Sequence, residues 1–461
     1  MCLSTLVMAQ GKMARMKIRP AQRITGQVRL PGDKSISHRA ALIAAVAEGQ
    51  SLLSNFSTSA DCASTLDCLR GLGVSIRREG NEVLVEGSGA DGLRAPSVPL
   101  DCGNSGSTMR MLAGVAAGYD LEAILTGDES LRSRPMKRII EPLELMTAQM
   151  RSENGRPPLG IKGTNALKPI SYELPVASAQ VKSCILLAGL RAAGRTEVVE
   201  KLGATRDHTE RMLRWFGAEL ETRTVVANGS SVEAVSINGK ANLSGRDVKI
   251  PGDFSSAAFL IAAAALLPGS DLKIEDVGLN PTRTQFLSTL RSFGFQIGLL
   301  DCRDESNEPV GTVHVRAKLH PPESQLPGPA DVPKVVRGSL IPQLIDELPL
   351  LAVVGSQLSG GIEIRDAAEL RVKEADRISA TVRNLCAMGV QVEEFEDGLR
   401  VAGPTPLQGA TLESFGDHRI AMAFTVAALL ADGVSEIAGS DCVSISFPEF
   451  FSLLESVTDH S

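Results

Sequence analysis

The sequence predicts an α/β protein built from two similar halves. One segment occurs twice: residues 27–37 are QVRLPGDKSIS, and residues 247–256 are DVKIPGDFSS. In both copies an alternating stretch precedes Pro-Gly-Asp and a serine-started, alanine-rich stretch follows, which indicates a strand, a turn and a helix. Short strands and helices alternate through each half, as in an α/β fold. Pro-Gly-Asp is also common turn chemistry, so a chance recurrence of the tripeptide alone stays open.

Individual elements follow from periodicity and composition. Alternation predicts strands over residues 82–86 and 232–237. Helices, several of them rich in alanine and leucine and therefore buried, are predicted over residues 35–47, 108–117, 178–190, 255–267, 376–388 and 418–430. The proline-rich residues 320–333 predict a surface excursion.

Composition and charge limit the class of protein. The 461 residues are 43% hydrophobic but only 3% aromatic, which predicts packed cores of aliphatic side chains. A net charge of -7 argues against broad nucleic-acid binding, which needs a basic face. The longest apolar run, residues 257–267, is too short to span a bilayer. We therefore expect a cytoplasmic protein without a nucleic-acid or membrane partner, with residues 1–16 as an N-terminal extension.

Several predicted helices begin at turns that carry cations. Backbone N–H groups at helix N-termini bind anions, and nearby cations favour the same ligands. Such turns are residues 34–39, 101–110, 127–135, 178–183 and 205–209. Ordinary helix capping stays open as the alternative for residues 34–39, 178–183 and 205–209, and a charged surface loop for residues 127–135.

The second half combines cations with acids. Asp346 precedes an apolar run, Glu374 and Arg377 stand three residues apart, and residues 416–419 begin another apolar helix. A surface set of ion pairs is the alternative interpretation. Taken together, many cations and two carboxylates favour proton transfer on small polyanionic substrates. Hydrolase, metalloenzyme and dehydrogenase functions lack support, because their motifs and metal-ligand spacings are absent from the sequence.

These motifs resemble EPSP synthases, in order from about residue 17 to the C-terminus. The resemblance lies in residues 30–40, 101–110, 132–135, 371–377 and 417–419, and residues 177–183 and 206–210 resemble the bacterial subgroup remote from the enteric and plant enzymes. It implies an enolpyruvyl transferase fold, an inside-out α/β barrel with three βαβαββ units in each of two domains. The first domain would be residues 32–250 and the second 17–31 with 251–461, with ligands in the cleft between them.

The resemblance also implies a reaction and its residues. The enolpyruvyl group of phosphoenolpyruvate would pass to shikimate 3-phosphate, on the route to chorismate and aromatic amino acids. Asp346 would take the hydroxyl proton and Glu374 would protonate the methylene carbon, with Lys34 and Lys373 assisting. Shikimate 3-phosphate would contact Lys34, Ser35, Arg39, Ser178, Ala179, Gln180, Arg206, Asp346 and Lys373. Phosphoenolpyruvate would contact Lys34, Asn104, Gly106, Arg134, Gln180, Arg377 and Arg419. No metal or organic cofactor is implied, and we expect a monomer.

Three positions bear on how far the resemblance extends. Ala179 replaces a serine of the enteric form, and Asp441 stands where that form has a lysine, so two phosphate contacts would differ. Position 106 is glycine, which leaves room that a methyl group would fill. We therefore expect inhibition by glyphosate.

Two other functions fit the same scaffold. A UDP-N-acetylglucosamine enolpyruvyl transferase would have a cysteine in the loop that matches residues 127–135 and a Lys-Asn pair near the N-terminus, and this chain has neither. A non-catalytic anion-binding protein would lack Asp346 or Glu374, and both are present. A third function, that of an RNA phosphate cyclase on a related fold, would need a nucleotide site and a basic face. The sequence gives no sign of either.

Overall fold

The computed structural model describes residues 14–89, 92–227, 230–318 and 332–460. These residues form two compact units, each taken by itself below. The terminal unit comprises the chain up to Leu30, Gly252–Arg303 and the chain from Val310 onward, and the central unit comprises Pro31–Pro251 with Asp304–Pro309. Most of the predicted N-terminal extension and of the predicted proline-rich excursion lies outside the described residues.

Strands and helices alternate along the described chain. The strands are β1 Arg15–Ile18, β2 Arg23–Arg29, β3 Glu48–Ser54, β4 Ser75–Glu79, β5 Glu82–Ser88, β6 Leu100–Asp101, β7 Glu122–Thr126, β8 Gln149–Glu153, β9 Arg156–Lys162, β10 Ser171–Glu173, β11 Arg195–Glu200, β12 Leu220–Ala227, β13 Ser230–Asn238, β14 Val248–Lys249, β15 Asp271–Gly278, β16 Gln296–Glu305, β17 Glu308–Arg316, β18 Lys334–Val336, β19 Ile362–Ile364, β20 Val392–Phe395, β21 Gly398–Val401, β22 Thr411–Glu413, β23 Ser435–Ala438 and β24 Thr458–Asp459. The helices are α1 Lys34–Val46, α2 Ala60–Gly71, α3 Gly106–Ala117, α4 Glu129–Ser133, α5 Lys137–Leu145, α6 Ala179–Gly189, α7 His208–Trp215, α8 Phe254–Leu266, α9 Gln285–Ser292, α10 Ile341–Leu344, α11 Leu348–Gly355, α12 Arg377–Ala387, α13 His418–Leu429 and α14 Phe450–Val457.

One sheet pattern recurs in the central unit. Its sheets have the orders β14-β3-β5-β4, β6-β7-β9-β8 and β10-β11-β13-β12. In each sheet the first two strands are parallel and the others antiparallel. A parallel pair needs a crossover, which α3 supplies between β6 and β7, and a hairpin can follow directly. The second and third of these sheets are therefore each one strand-helix-strand-helix-strand-strand unit, and in the first sheet β14, the last of its strands along the chain, takes the place of the leading strand.

The terminal unit repeats this pattern. The sheet β18-β19-β21-β20 combines a parallel pair with antiparallel strands in the same way. In the other two sheets β2 is parallel to β15, and β22 is parallel to β23. The α/β prediction is confirmed.

Buried helices form the core of each unit. In the central unit α3 contacts α1 and α6, and in the terminal unit α13 contacts α8 and α11. Almost every residue of these helices is buried, as their alanine- and leucine-rich composition predicts. All six predicted helices are confirmed, with ends within two residues of the prediction.

The repeated Pro-Gly-Asp segment ends in a helix cap in both copies. Asp33 accepts a hydrogen bond from the backbone N–H of Ile36, and Asp253 accepts from Ser255 and Ser256. Such caps satisfy backbone donors that the first helical turn leaves open. Gly32 is required by close approach, because a Cβ there would lie 1.7 Å from the carbonyl oxygen of Asn55.

Two features of the described residues bear on membrane and metal binding. No single helix in them is both long and apolar enough to cross a membrane, and the pair 338–344 and 348–355 meets that test only jointly, across a 110° bend. No group of three or more His, Cys, Asp or Glu side chains there has the arrangement to hold a metal ion.

Candidate functional site

The predicted site residues lie in two clusters, one in each unit. The hydroxyl-lined cluster of the central unit comprises Lys34, Ser35, Arg39, Asn104, Gly106, Arg110, Arg134, Ser178, Ala179, Gln180 and Arg206. The carboxylate-lined cluster of the terminal unit comprises Arg283, Asp346, Glu347, Lys373, Glu374, Arg377, Asp417 and Arg419.

The first turns of α1 place two cations of the hydroxyl-lined cluster. Lys34, the first residue of the helix, donates to Asp61 Oδ2 over 2.9 Å. Arg39 lies one turn further on and is only 3% exposed. Its donors reach Thr209 Oγ1 at 2.7 Å, Ser183 Oγ at 2.9 Å and the carbonyl oxygen of Ser35 at 2.8 Å. Neutral groups thus supply the hydrogen bonds that orient Arg39, while the carboxylates of Glu210, Asp33 and Glu308 act on its charge without bonding to it directly.

A second guanidinium adds to this positive charge. Burial, and then the charge of Arg206, lower the pKa of Arg39 to about 10, so Arg39 stays protonated at neutral pH. Arg206 lies in the loop that precedes α7 and is partly exposed. Two like charges this close are stabilised when an anion binds between or beside them.

The start of α3 brings two more arginines together. Arg134 NH2 donates to Asn104 Oδ1 over 2.7 Å, and Asn104 donates in turn to Asp128 Oδ2 over 2.7 Å. A Cβ on Gly106 would lie 2.8 Å from Arg110 NH1 and 3.5 Å from Arg134 NH1. Glycine at this position therefore leaves open the space beside both guanidinium groups.

Residues at the start of α6 contact residues of α3. Ser178 caps the helix by accepting from the backbone N–H of Val181. Gln180 accepts from Arg110 NH1 over 2.5 Å and donates to Ser107 Oγ over 2.8 Å. The amide therefore connects α6 to α3, while Ser178 and Ala179 stand at a helix N-terminus and are partly exposed.

Arg377 is the centre of the carboxylate-lined cluster. It is 2% exposed, and it donates from Nε to Asp417 Oδ2 and from NH2 to Glu374 Oε2, both over 2.7 Å. Burial alone would lower the pKa of Arg377, but the charges of Asp417 and Glu374 raise it on balance. Its NH1 atom is buried without a hydrogen-bond partner and lies 3.6 Å from Asp346 Oδ1.

Asp346 lies between α10 and α11, beside a second arginine. Arg419 Nε is 3.5 Å from Asp346 Oδ1, and Arg419 NH1 donates to the Asp346 carbonyl oxygen over 3.3 Å. The next residue, Glu347, is fully buried and pairs with Arg283 at 2.8 Å. This buried pair holds the turn that presents the Asp346 carboxylate.

Lys373 completes this cluster. Its Nζ donates to Glu369 Oε1 over 3.4 Å. Burial lowers the pKa of Lys373, and the charges of Glu369 and Asp346 oppose that change only in part. A lysine with a lowered pKa exchanges its proton more readily near neutral pH than an exposed one.

Asp441 lies in a short 3₁₀ helix, Ser440–Ile445, and is exposed. This helix contacts α13, whose first turn carries Arg419. A carboxylate at the end of the carboxylate-lined cluster therefore stands where the enteric resemblance predicts a cation.

Sequence reasoning missed several residues that hold the site. Asp61, Arg110, Arg283, Glu347 and Asp417 were not predicted as site residues, although Asp417 lies in the segment 417–419 that carries the resemblance. For Arg110 a signal existed, because it follows Gly106 by four residues and so lies on the same face of α3. For Asp61 and Arg283 the sequence offered none, since their partners Lys34 and Glu347 are far away along the chain.

Comparisons with known proteins point to one family. The family model described as EPSP synthase (3-phosphoshikimate 1-carboxyvinyltransferase) matches residues 18–454. A 3-phosphoshikimate 1-carboxyvinyltransferase of Solibacter usitatus is 49% identical and covers 96% of this chain and 99% of its own. The protein of that name from Koribacter versatilis is 47% identical and covers 97% of this chain and 100% of its own.

Solved structures agree with the sequence comparisons. An EPSP synthase from Acinetobacter baumannii has a TM-score of 0.81 and 38% sequence identity. The match covers 97% of this chain and 98% of that protein. Its fold is therefore similar to that of the present chain over nearly the whole length.

Proposed function

This chain belongs to the EPSP synthase family and transfers the enolpyruvyl group of phosphoenolpyruvate to shikimate 3-phosphate, and we propose that its two clusters divide this work. The hydroxyl-lined cluster binds the anionic groups of the substrates. The carboxylate-lined cluster moves the protons. The reaction belongs to aromatic amino-acid biosynthesis.

The observation that carries the proposal is the environment of Arg377. This buried guanidinium contacts Glu374, lies beside Asp346 and keeps one nitrogen without a hydrogen-bond partner. A guanidinium so held suits a carboxylate or phosphate of phosphoenolpyruvate, which accepts parallel hydrogen bonds. Two acids and one anion-binding group are thus held close together. An addition reaction needs this arrangement, because it combines proton transfer with stabilisation of negative charge.

Proton transfer falls to Asp346 and Glu374. Asp346 takes the proton from the 5-hydroxyl of shikimate 3-phosphate as that oxygen bonds to the central carbon of phosphoenolpyruvate. Glu374 gives a proton to the methylene carbon, which becomes a methyl group in a tetrahedral intermediate. Glu374 then takes back a proton from the methyl group, the proton on Asp346 passes to the departing phosphate, and the double bond forms again. Lys373 and Lys34 stabilise the negative charge that develops.

Substrate binding falls mainly to the central unit. Lys34, Ser35 and Arg39 hold the shikimate ring groups, and the phosphate of that substrate contacts Arg206 and the start of α6, where backbone N–H groups replace the hydroxyl absent at Ala179. Phosphoenolpyruvate contacts Asn104, Gly106, Arg134 and Gln180. Arg377 and Arg419 of the carboxylate-lined cluster hold its remaining anionic groups, and Asp346 and Lys373 also contact shikimate 3-phosphate.

Three further features belong to the proposal. The enzyme acts in the cytoplasm and as a monomer. Glyphosate, a small molecule with a carboxylate and a phosphonate, inhibits it, because Gly106 leaves space beside Arg110 and Arg134. Full activity at millimolar glyphosate would contradict this last expectation.

The test follows phosphate release from phosphoenolpyruvate by the purified full-length chain. Shikimate 3-phosphate and UDP-N-acetylglucosamine are supplied in separate reactions. We expect release only with shikimate 3-phosphate, and its loss in Asp346→Ala. Release with the nucleotide sugar alone, or none with either acceptor in folded protein, would overturn the proposal.

A further inference from the structure

The loop that carries Arg206 contains one buried residue. Residues 201–207 connect β11 to α7, and only Thr205 among them is buried, at 7% exposure. Leu202, three residues earlier, is 57% exposed. The position of Arg206 thus depends on how its neighbour Thr205 is held.

Two charged side chains hold Thr205. Glu200 Oε1 accepts from the Thr205 backbone N–H over 2.9 Å and from its hydroxyl over 2.5 Å. Lys182 Nζ lies 3.4 Å from the Thr205 carbonyl oxygen, to which it donates. All three polar groups of Thr205 are therefore bound by side chains from outside the loop.

A buried ionic triad holds the two side chains that bind Thr205. Lys182 contacts Glu200 Oε2 at 2.9 Å and Glu210 Oε1 at 2.7 Å, and each of the three side chains is at most 2% exposed. Burial alone would lower the pKa of Lys182, but the charges of Glu210 and Glu200 raise it on balance, so the ammonium persists. Buried charges tolerate little displacement, because an unpaired one is costly.

The triad is too deeply buried to touch a substrate, yet it joins two segments assigned to the phosphate. Lys182 lies on α6, one turn beyond Ser178, whereas Glu210 lies on α7, just after the Arg206 loop. We propose that Lys182, Glu200 and Thr205 are positioning residues that fix Arg206 against the 3-phosphate, and so set the preference for the phosphorylated over the unphosphorylated acceptor. This inference rests on the proposed function.

The test compares Thr205→Val with Thr205→Ser in the full chain. Valine keeps the shape of threonine but cannot donate to Glu200, whereas serine keeps the hydroxyl. We expect valine to raise KM for shikimate 3-phosphate about three- to tenfold, the range for one lost hydrogen bond, and serine to restore it. KM for phosphoenolpyruvate, and kcat/KM for unphosphorylated shikimate, should change less than about twofold, because neither substrate is assigned a contact with Arg206.

A double-mutant cycle separates positioning from general structural support. In an Arg206→Gln background, Thr205→Val should add no further increase in KM, since the guanidinium that it positions is gone. An equal rise in KM for both substrates, or full additivity with Arg206→Gln, would overturn the inference. If Thr205→Val does not fold, Glu200→Gln provides the same cycle.

Measurements on the wild-type protein distinguish a failure of the proposed function from a failure of the positioning role. No phosphate release from wild-type protein with shikimate 3-phosphate would overturn the proposed function itself. Normal wild-type turnover with an unchanged KM in Thr205→Val would overturn only the positioning role.

Discussion

The arginines of the two clusters have partners of different kinds. In the central unit, Arg39 and Arg134 donate to hydroxyl, amide and carbonyl groups. In the terminal unit, Arg377 and Arg419 lie against carboxylates. Neutral partners orient a guanidinium without cancelling its charge, whereas carboxylate partners offset that charge and are fixed in place by the ion pair. The first arrangement suits anion binding, and the second suits the positioning of acids and bases.

The largest effect on activity should come from removing a carboxylate that is assigned to proton transfer. Asp346→Asn keeps the shape of the side chain but cannot accept the hydroxyl proton. We expect kcat to fall about 10²–10⁴-fold, the usual contribution of a general base, with little change in KM for phosphoenolpyruvate. Steady-state phosphate release measures both.

Asp120→Asn is the matched control for that change, because Asp120 is exposed and belongs to neither cluster. It should keep kcat within about twofold, as surface substitutions usually do. Comparable losses of kcat in both variants would remove the basis for choosing Asp346.

The second prediction concerns stability and sharpens the difference between the two kinds of arginine. Arg377→Met leaves Asp417 and Glu374 without their buried partner, so the free energy of unfolding should fall by about 3–5 kcal/mol. Arg134→Met removes donors to the neutral side chains of Asn104 and Ser130 and should cost about 1–3 kcal/mol. Urea unfolding of both variants gives the comparison, and equal losses would show that partner charge does not distinguish them.

The third prediction tests the space beside Gly106. In Gly106→Ala the new methyl group would displace the Arg110 guanidinium, which lies 2.8 Å from the added carbon. We expect KM for phosphoenolpyruvate to rise about two- to tenfold, the effect of a modest overpacking strain. Gly298→Ala is the control, because its added carbon would make only ordinary contacts, at 3.8 Å or more. An unchanged KM would show that the guanidinium groups move aside without loss.

The smallest predicted effect is a pH dependence. Because the pKa of Lys373 lies below the ordinary 10.5, Lys373 loses its proton at a lower pH than an exposed lysine does. Its charge is lost as pH rises, so kcat/KM should fall on an alkaline limb below pH 10.5. Lys373→Arg should move that limb to higher pH, because arginine stays protonated. A limb unchanged in this variant would assign the titration to another group.

Local features of the fold could be predicted from the sequence. α8 extends over Phe254–Leu266, one residue from the prediction, because its run of apolar residues cannot face water on any side. The cap at Asp253 and the capping Asp33 also follow from local chemistry. Strand pairings depend on distant segments: β2 pairs with β15, and no local pattern specifies that partner.

The site residues likewise divide into those that local sequence predicts and those that only the folded chain brings together. Glu374 and Arg377 were predicted to share a face, and they contact each other at 2.7 Å because three residues separate them. The buried pair of Arg283 and Glu347 joins residues 64 positions apart, so only the folded chain reveals it. Sequence reasoning therefore found the residues with distinctive chemistry and missed those that hold them in place.

The division of work between the clusters is tested most directly in Glu374→Gln. Calorimetry measures its affinity for shikimate 3-phosphate, and rapid quench measures phosphate release in a single turnover. The account predicts affinity within about threefold of wild type and release slowed at least about 10²-fold, because the assigned acid is lost while the hydroxyl-lined cluster is intact. Exposed Glu393→Gln should match wild type in both measurements. Release within about tenfold of wild type, or binding lost together with turnover, would contradict the account.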